Sequence, residues 1–139
     1  MLSGRPPTTQ PGIDQLLDRL VSGSSRQKRS TASALEKVSE QLSNKAEEAL
    51  KSYSRDGDDW GAGWILQILQ RHQPAALEAI PEVSGGWFHA PSSLDIDYTH
   101  LQQALLREDF EEADRLTSCA LRELAGDQAV QRGYVYFSE

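Results

Sequence analysis

Apolar residues recur three and four positions apart in one segment after another of this chain, and glycine, proline or aspartate interrupts the pattern each time. That spacing lines side chains along one stripe of a helix, so the chain is directed toward an all-α fold whose stripes need partner surfaces. Ile13, Leu16, Leu17, Leu20 and Val21 make the first stripe, with Asp14 and Asp18 on the opposite face. Gly23 is expected to close this helix in a left-handed conformation. Ser24 or Ser25 then caps a second, long helix, whose stripe runs through Leu35, Val38, Leu42, Ala46, Ala49 and Tyr53. Each leucine buried there contributes about 1.5–3 kcal/mol, so such a helix is stable only when docked.

The run Asp56-Gly57-Asp58-Asp59 ends that helix and caps the next, whose face carries Trp60, Trp64, Ile65, Ile68, Leu69 and His72. Gln73-Pro74 stops it, because the residue before proline is biased away from the helical region. A short helix through Leu77 and Ile80 follows, bounded by Pro81. Residues 81–94, with Gly85-Gly86 and further prolines, read as a linker in which Trp87 and Phe88 act as apolar plugs. Beyond it, Asp97 is placed to cap a helix with Leu101, Ala104 and Leu105 on its buried face, and Ile96 meets Leu101 as a hydrophobic staple. Asp109 caps the next helix with Glu112 as reciprocal partner. Phe110, Ala113, Leu116, Ala120 and Leu124 carry that helix to Gly126, which makes an antiparallel hairpin. Asp127 caps one more turn, and the aromatic stretch Tyr134-Val135-Tyr136-Phe137 follows. So few residues after Phe137 leave that stretch little to cover it, and the sequence reads as a fragment. The expected division is a disordered tail (1–12), a helical bundle (13–80), the linker (81–94) and a second, incomplete domain (95–139).

Charge and composition remove several function classes. The formal net charge is −7, from 21 acidic and 14 basic side chains, which argues against nucleic-acid binding, since that requires a basic face to release counterions. Residues 1–35 nevertheless hold five basic side chains against two acidic ones. A transit peptide competes there with a short tail ahead of a folded domain, and the amphipathic pattern from Ile13 favours the latter. No apolar run approaches the length of a membrane-spanning helix. The lone Cys119 excludes a disulfide-stapled fold, fits a reducing compartment and reads as a small core residue inside a helix. No nucleophile elbow is present. His72, His89 and His100 lack metal-ligand spacing, and Gly61-Ala62-Gly63 lacks the third glycine of a dinucleotide loop. The acidic run at 56–59 has no bidentate glutamate at the far end of a calcium loop. No catalytic and no metal-binding residue is therefore assigned. Arg26, Lys28 and Arg29 read as a solvated basic turn, with contact to an anionic surface as the alternative.

One run of residues carries a resemblance. Ile96-Asp97-Tyr98-x-x-Leu101-x-x-x-Leu105, then Asp109-Phe110-x-x-Ala113-Asp114, then Arg122-Glu123-Leu124-Ala125-Gly126, and last Gln131-Arg132-Gly133-Tyr134-Val135-Tyr136-Phe137-Ser138-Glu139 together resemble the opening of the "genomes uncoupled four" domain. The region before the linker also looks like the small helical domain that precedes it in cyanobacterial members, through its helix pattern and the Trp60–His72 segment. The resemblance implies an all-α architecture in which the small bundle is followed by the first helices of a mostly helical porphyrin-binding domain. It implies a non-enzymatic regulator that binds protoporphyrin IX or magnesium protoporphyrin IX and stimulates magnesium chelatase in chlorophyll biosynthesis, with the large porphyrin-binding subunit of that enzyme as partner.

The setting implied is the cyanobacterial cytoplasm, or the plastid stroma in a eukaryote, with peripheral association with thylakoid or envelope membranes. A flat macrocycle needs apolar walls, and its propionates need cations. Phe137 matches a position of the family's apolar groove, Tyr134 and Val135 lie beside it, and Arg132 is in reach of a carboxylate. Groove contact and core packing both stay open for Phe137. For Tyr134 and Val135 the core is favoured, and Arg132 also reads as an ordinary exposed arginine at a helix end. Most of the family's groove falls outside the matched residues, which puts binding by this chain in question. The competing reading is a non-catalytic helical interaction module of tetratricopeptide-like type, with Trp87 and Phe88 as its contact, although no second copy of the hairpin occurs at the required period.

Overall fold

The computed structural model describes residues 12–56 and 60–138. The expected tail up to Pro11, the caps at Asp58 and Asp59, and Glu139 lie outside the described residues. Among the described residues the chain forms nine helices and no strand, an all-α fold. The first five are α1 (Ile13–Ser22), α2 (Ser25–Lys37), α3 (Ser39–Leu50), α4 (Trp60–His72) and α5 (Pro74–Glu78). A single turn, α6 (Pro81–Ser84), leads to α7 (Thr99–Leu106), α8 (Phe110–Ala125) and α9 (Asp127–Arg132).

Local chemistry explains most of these ends. The Ser24 hydroxyl accepts from the Gln27 amide at 3.3 Å while the Gln27 side chain accepts from the Ser24 amide at 2.8 Å, a complete capping box. Gly23 is extended (φ −73°) rather than left-handed. Glycine is used there for closeness, since a Cβ would stand 2.6 Å from the Arg19 carbonyl oxygen. The long helix expected from Ser24 to Tyr53 is broken at Val38 (φ −116°, ψ 36°). After the break α2 packs mainly on α1 and α3 mainly on α4.

Leu20, Leu35, Leu42, Ile65 and Leu69, drawn from α1 to α4, are fully buried and form the centre of the core. Leu77 and Ile80 close one end, and Trp87, only 5% exposed, belongs to the same cluster. Residues 81–94 therefore contribute to the core of the bundle they follow. Arg55 holds this stretch by donating from Nε to the Trp87 carbonyl at 2.6 Å, and the His89 amide donates to the Arg55 carbonyl at 2.7 Å.

The hairpin of α7 and α8 docks on the bundle through α7 and α4. Gln102 completes both backbone bonds of Phe88, accepting from its amide at 3.2 Å and donating to its carbonyl at 2.7 Å. At the α7–α8 turn Glu108 adopts a left-handed φ of 59°. Its carboxylate accepts from Arg71 and, at 3.0 Å, from Gln67, both on α4. Arg71 and His72 also meet Glu36 of α2, at 3.2 and 2.9 Å. These bonds hold the Glu36 and Glu108 carboxyls below the ordinary glutamate value, through His72 first for Glu36 and through Arg71 for Glu108.

Candidate functional site

The sequence-predicted site begins where α9 ends. Gly133 closes that helix in a left-handed conformation (φ 85°), which a side chain would strain, and its amide returns to the Ala129 carbonyl at 2.9 Å. The chain then turns back over Arg132. The guanidinium lies 3.7 Å from the centre of the Tyr136 ring and 5.3 Å from that of Tyr134, and Nη2 donates to the Tyr134 carbonyl at 3.3 Å. The two tyrosine rings stand edge to face, 5.6 Å apart. Stacking of this kind presents a delocalised cation within an aromatic frame.

Arg132, Tyr134 and Tyr136 are thus brought together, while Tyr134, Val135 and Tyr136 remain about half exposed and Phe137 is fully exposed. Core packing, favoured for Tyr134 and Val135 and open for Phe137 from sequence, is not what the fold does with them. No described element lies over this segment to bury it. Tyr136, which the sequence pattern does not single out, is the ring nearest the guanidinium. Its signal is its spacing from Arg132, and that spacing becomes informative only once the turn at Gly133 is fixed.

The helices before the segment are similarly open on one side. Phe110, Leu121 and Leu124 of α8, expected partly as core, are exposed, and Leu105 of α7 is 48% exposed. Phe110, Leu121 and Leu124 share one face of α8, and the small, buried Ala113 borders that face on the Leu124 side. Asp109 caps α8 as expected, accepting from the Glu112 amide at 3.2 Å. Glu112 does not return the bond. It makes a two-point pair with Arg115 at 2.6 and 2.8 Å, which lowers the Glu112 carboxyl and raises the guanidinium. Asp97 sits one residue ahead of the α7 cap position and accepts from the Thr99 amide at 2.9 Å.

The remaining sequence candidates are dispersed. Cys119 is half-buried and receives a contact from Arg122 at 3.3 Å. His89 Nδ1 lies 2.7 Å from Asp56, and His72 lies against Glu36. Among the described residues no three potential metal ligands cluster, and no helix is long and apolar enough to cross a membrane. Sequence reasoning missed a cleft of about 460 Å³ between α4 and α7, lined by Trp60, Trp64, Trp87 and Phe88 among others. None of Arg132, Tyr134, Val135 or Phe137 lines it.

The helical hairpin thus frames an exposed aromatic segment around one arginine. Comparison with known proteins finds a likeness over that segment. A family model described as GUN4-like matches residues 91–139. A Ycf53-like protein of Synechocystis sp. is 50% identical over 75 residues, covering 54% of this chain and 28% of that protein. Residues 91–139 are thus similar to the GUN4-like family, in agreement with the resemblance carried by Ile96–Glu139. The chain spans little more than a quarter of the length of this curated relative.

Proposed function

We propose that residues 91–139 supply part of a tetrapyrrole-binding module whose ligands are protoporphyrin IX and magnesium protoporphyrin IX. In this reading the protein is a non-catalytic regulator that stimulates magnesium chelatase through its large, porphyrin-binding subunit. It acts in chlorophyll biosynthesis, in the cyanobacterial cytoplasm or plastid stroma, with peripheral association with thylakoid or envelope membranes. The observation that carries the reading is the GUN4-like match over 91–139, a segment that leaves Tyr134, Tyr136 and Phe137 exposed around Arg132.

Physical chemistry supports the assignment of roles. The exposed Phe137 ring is available as one apolar wall for a macrocycle, and Tyr134 and Val135 extend it. The Arg132 guanidinium, held in place by two rings, is suited to a propionate. One wall leaves much of a plate-shaped ligand in water, so the burial energy falls with the area left uncovered. The interaction-module alternative is weakened because Trp87, half of its supposed contact, is buried in the core.

Titration with protoporphyrin IX, followed by fluorescence quenching and the Soret band, tests the proposal. The 139-residue chain is expected to bind weakly or not at all at this segment. A protein in which it is extended with the remainder of a GUN4-like domain is expected to bind one to one with a shifted Soret band. In that protein Phe137→Ala should weaken binding by about 1–3 kcal/mol. Absence of binding by the extended protein would sink the tetrapyrrole reading.

A further inference from the structure

We infer that the cleft between α4 and α7 is a second binding site, for a flat aromatic molecule carrying a carboxylate. The inference does not depend on the tetrapyrrole reading, because the two sites share no residue. Its volume, about 460 Å³, falls within the roughly 300–1,000 Å³ of small-ligand pockets and suits a tricyclic or tetracyclic ring system.

Three observations point to this occupant. First, all three tryptophans of the chain line the cleft. Trp60 and Trp64 of α4 pair edge to face at 5.2 Å, and Trp87 and Phe88 pair edge to face at 4.9 Å. Aliphatic side chains alone would close over a flexible chain, whereas Trp60, Trp64 and Phe88, backed by the buried Trp87, offer ring edges and faces to a planar π system. Second, Gly63 lies in the wall of the cleft inside α4, where glycine is unfavourable relative to alanine. Gly61, on the same helix, is required by the protein itself: a Cβ there would stand 2.8 Å from the Tyr53 ring. At Gly63 a Cβ would meet only Phe88, at an ordinary 4.0 Å. Among the described residues no contact demands this glycine, and what its missing side chain leaves is space in the cleft. Third, the Lys28 ammonium stands 5.8 Å from the Trp60 ring centre, so a cation waits beside the 39%-exposed tryptophan that lines the cleft. Lys28 does not itself line the cleft, but an anionic group of a ligand at the Trp60 end would stand next to this cation.

The three tryptophans make the site its own reporter. Titrating the 139-residue chain with 1-pyrenebutyrate, a flat tetracyclic acid, should quench tryptophan emission saturably with one-to-one stoichiometry. Gly63→Leu, which fills the cleft, should weaken binding at least about tenfold while helical circular dichroism is retained. Leu105→Glu, at a half-exposed lining position, should do the same and decides the matter alone if Gly63→Leu fails to fold. Lys28→Gln should weaken binding about two- to fivefold, as expected of an exposed ion pair. Phe137→Ala should leave this titration unchanged, which separates the cleft from the Arg132–Phe137 segment. Quenching that does not saturate, or a folded cleft variant that binds like the parent, overturns the site. Competition by laurate as strong as by pyrenebutyrate overturns the flat ligand class, and an unaltered affinity in Lys28→Gln overturns the carboxylate.

Discussion

The bundle of α1–α5 and the hairpin of α7–α9 are built from similar amphipathic helices and treat their apolar faces in opposite ways. In the bundle, Leu20, Leu35, Leu42, Ile65 and Leu69 are fully enclosed, and the stripes of four helices close on one another. In the hairpin only the small residues Ala104, Ala113 and Ala129 are buried, while Leu105, Phe110, Leu121, Leu124 and the 134–137 segment face outward. The contrast teaches that a stripe at helical spacing marks an apolar face and leaves open whether anything covers it. The hairpin leaves its large apolar side chains uncovered, the reverse of the bundle, where the large side chains hold the fold.

The largest test of this contrast is Trp87→Ala. If residue 87 is core of the bundle, the substitution should cost about 3–5 kcal/mol in urea or thermal unfolding. A loss below about 1 kcal/mol would return residues 81–94 to the role of a plain linker. In the same vein, a chain of residues 13–90 should melt cooperatively and above one of residues 13–80, because the shorter one lacks Trp87. Leu69→Ala, at a fully buried site, is expected to cost about 2–5 kcal/mol by the same assay.

Asp109→Ala should cost roughly 1 kcal/mol through loss of the acceptor at the start of α8. Unchanged stability would mean that the hairpin frays without consequence for the rest of the molecule. Leu121→Ala and Phe137→Ala, on the uncovered side, should change stability by no more than about 0.5 kcal/mol. A larger loss in either would show that the face is covered in solution, by a partner or a second copy, and sedimentation would then tell which.

The smallest effect concerns acid. Glu36 and Glu108 titrate below the ordinary glutamate value of 4.5, so the folded state favours their charged forms. The stability they add is present above that value and is lost as pH falls through their depressed folded-state values. Both are partly exposed and screened by solvent, so the change is to be read locally, as a shift of the Arg71 and Gln67 side-chain resonances on acidification. Glu108→Gln should abolish the part of that shift due to the α7–α8 turn and leave the part due to Glu36.

Several elements are legible in the order of residues. The Ser24 cap, the Asp109 cap, the stop before Pro74 and the hairpin follow from short-range chemistry, where a side-chain oxygen meets an amide two or three residues on. The break at Val38 is not legible, because Leu35, Val38 and Leu42 continue a regular spacing across it. The extended backbone of Gly23 escapes the capping rule for a related reason: it is set by a close approach to Arg19. The Arg132–Tyr136 stack needs the turn at Gly133, and the cleft needs α4, residues 87–88 and α7, which are far apart in sequence.

By itself the sequence determined that the chain is helical, where most helices begin and end, which residues carry the GUN4-like resemblance, and that Arg132 stands close to a run of aromatics. These follow from interactions within a few residues or from the order of residue types. Only the tertiary structure decided that Trp87 is core, that Phe137 and the outer face of α8 are uncovered, and that three tryptophans share one cleft. Burial depends on what the rest of the chain brings to each face, and neither spacing nor composition carries that information.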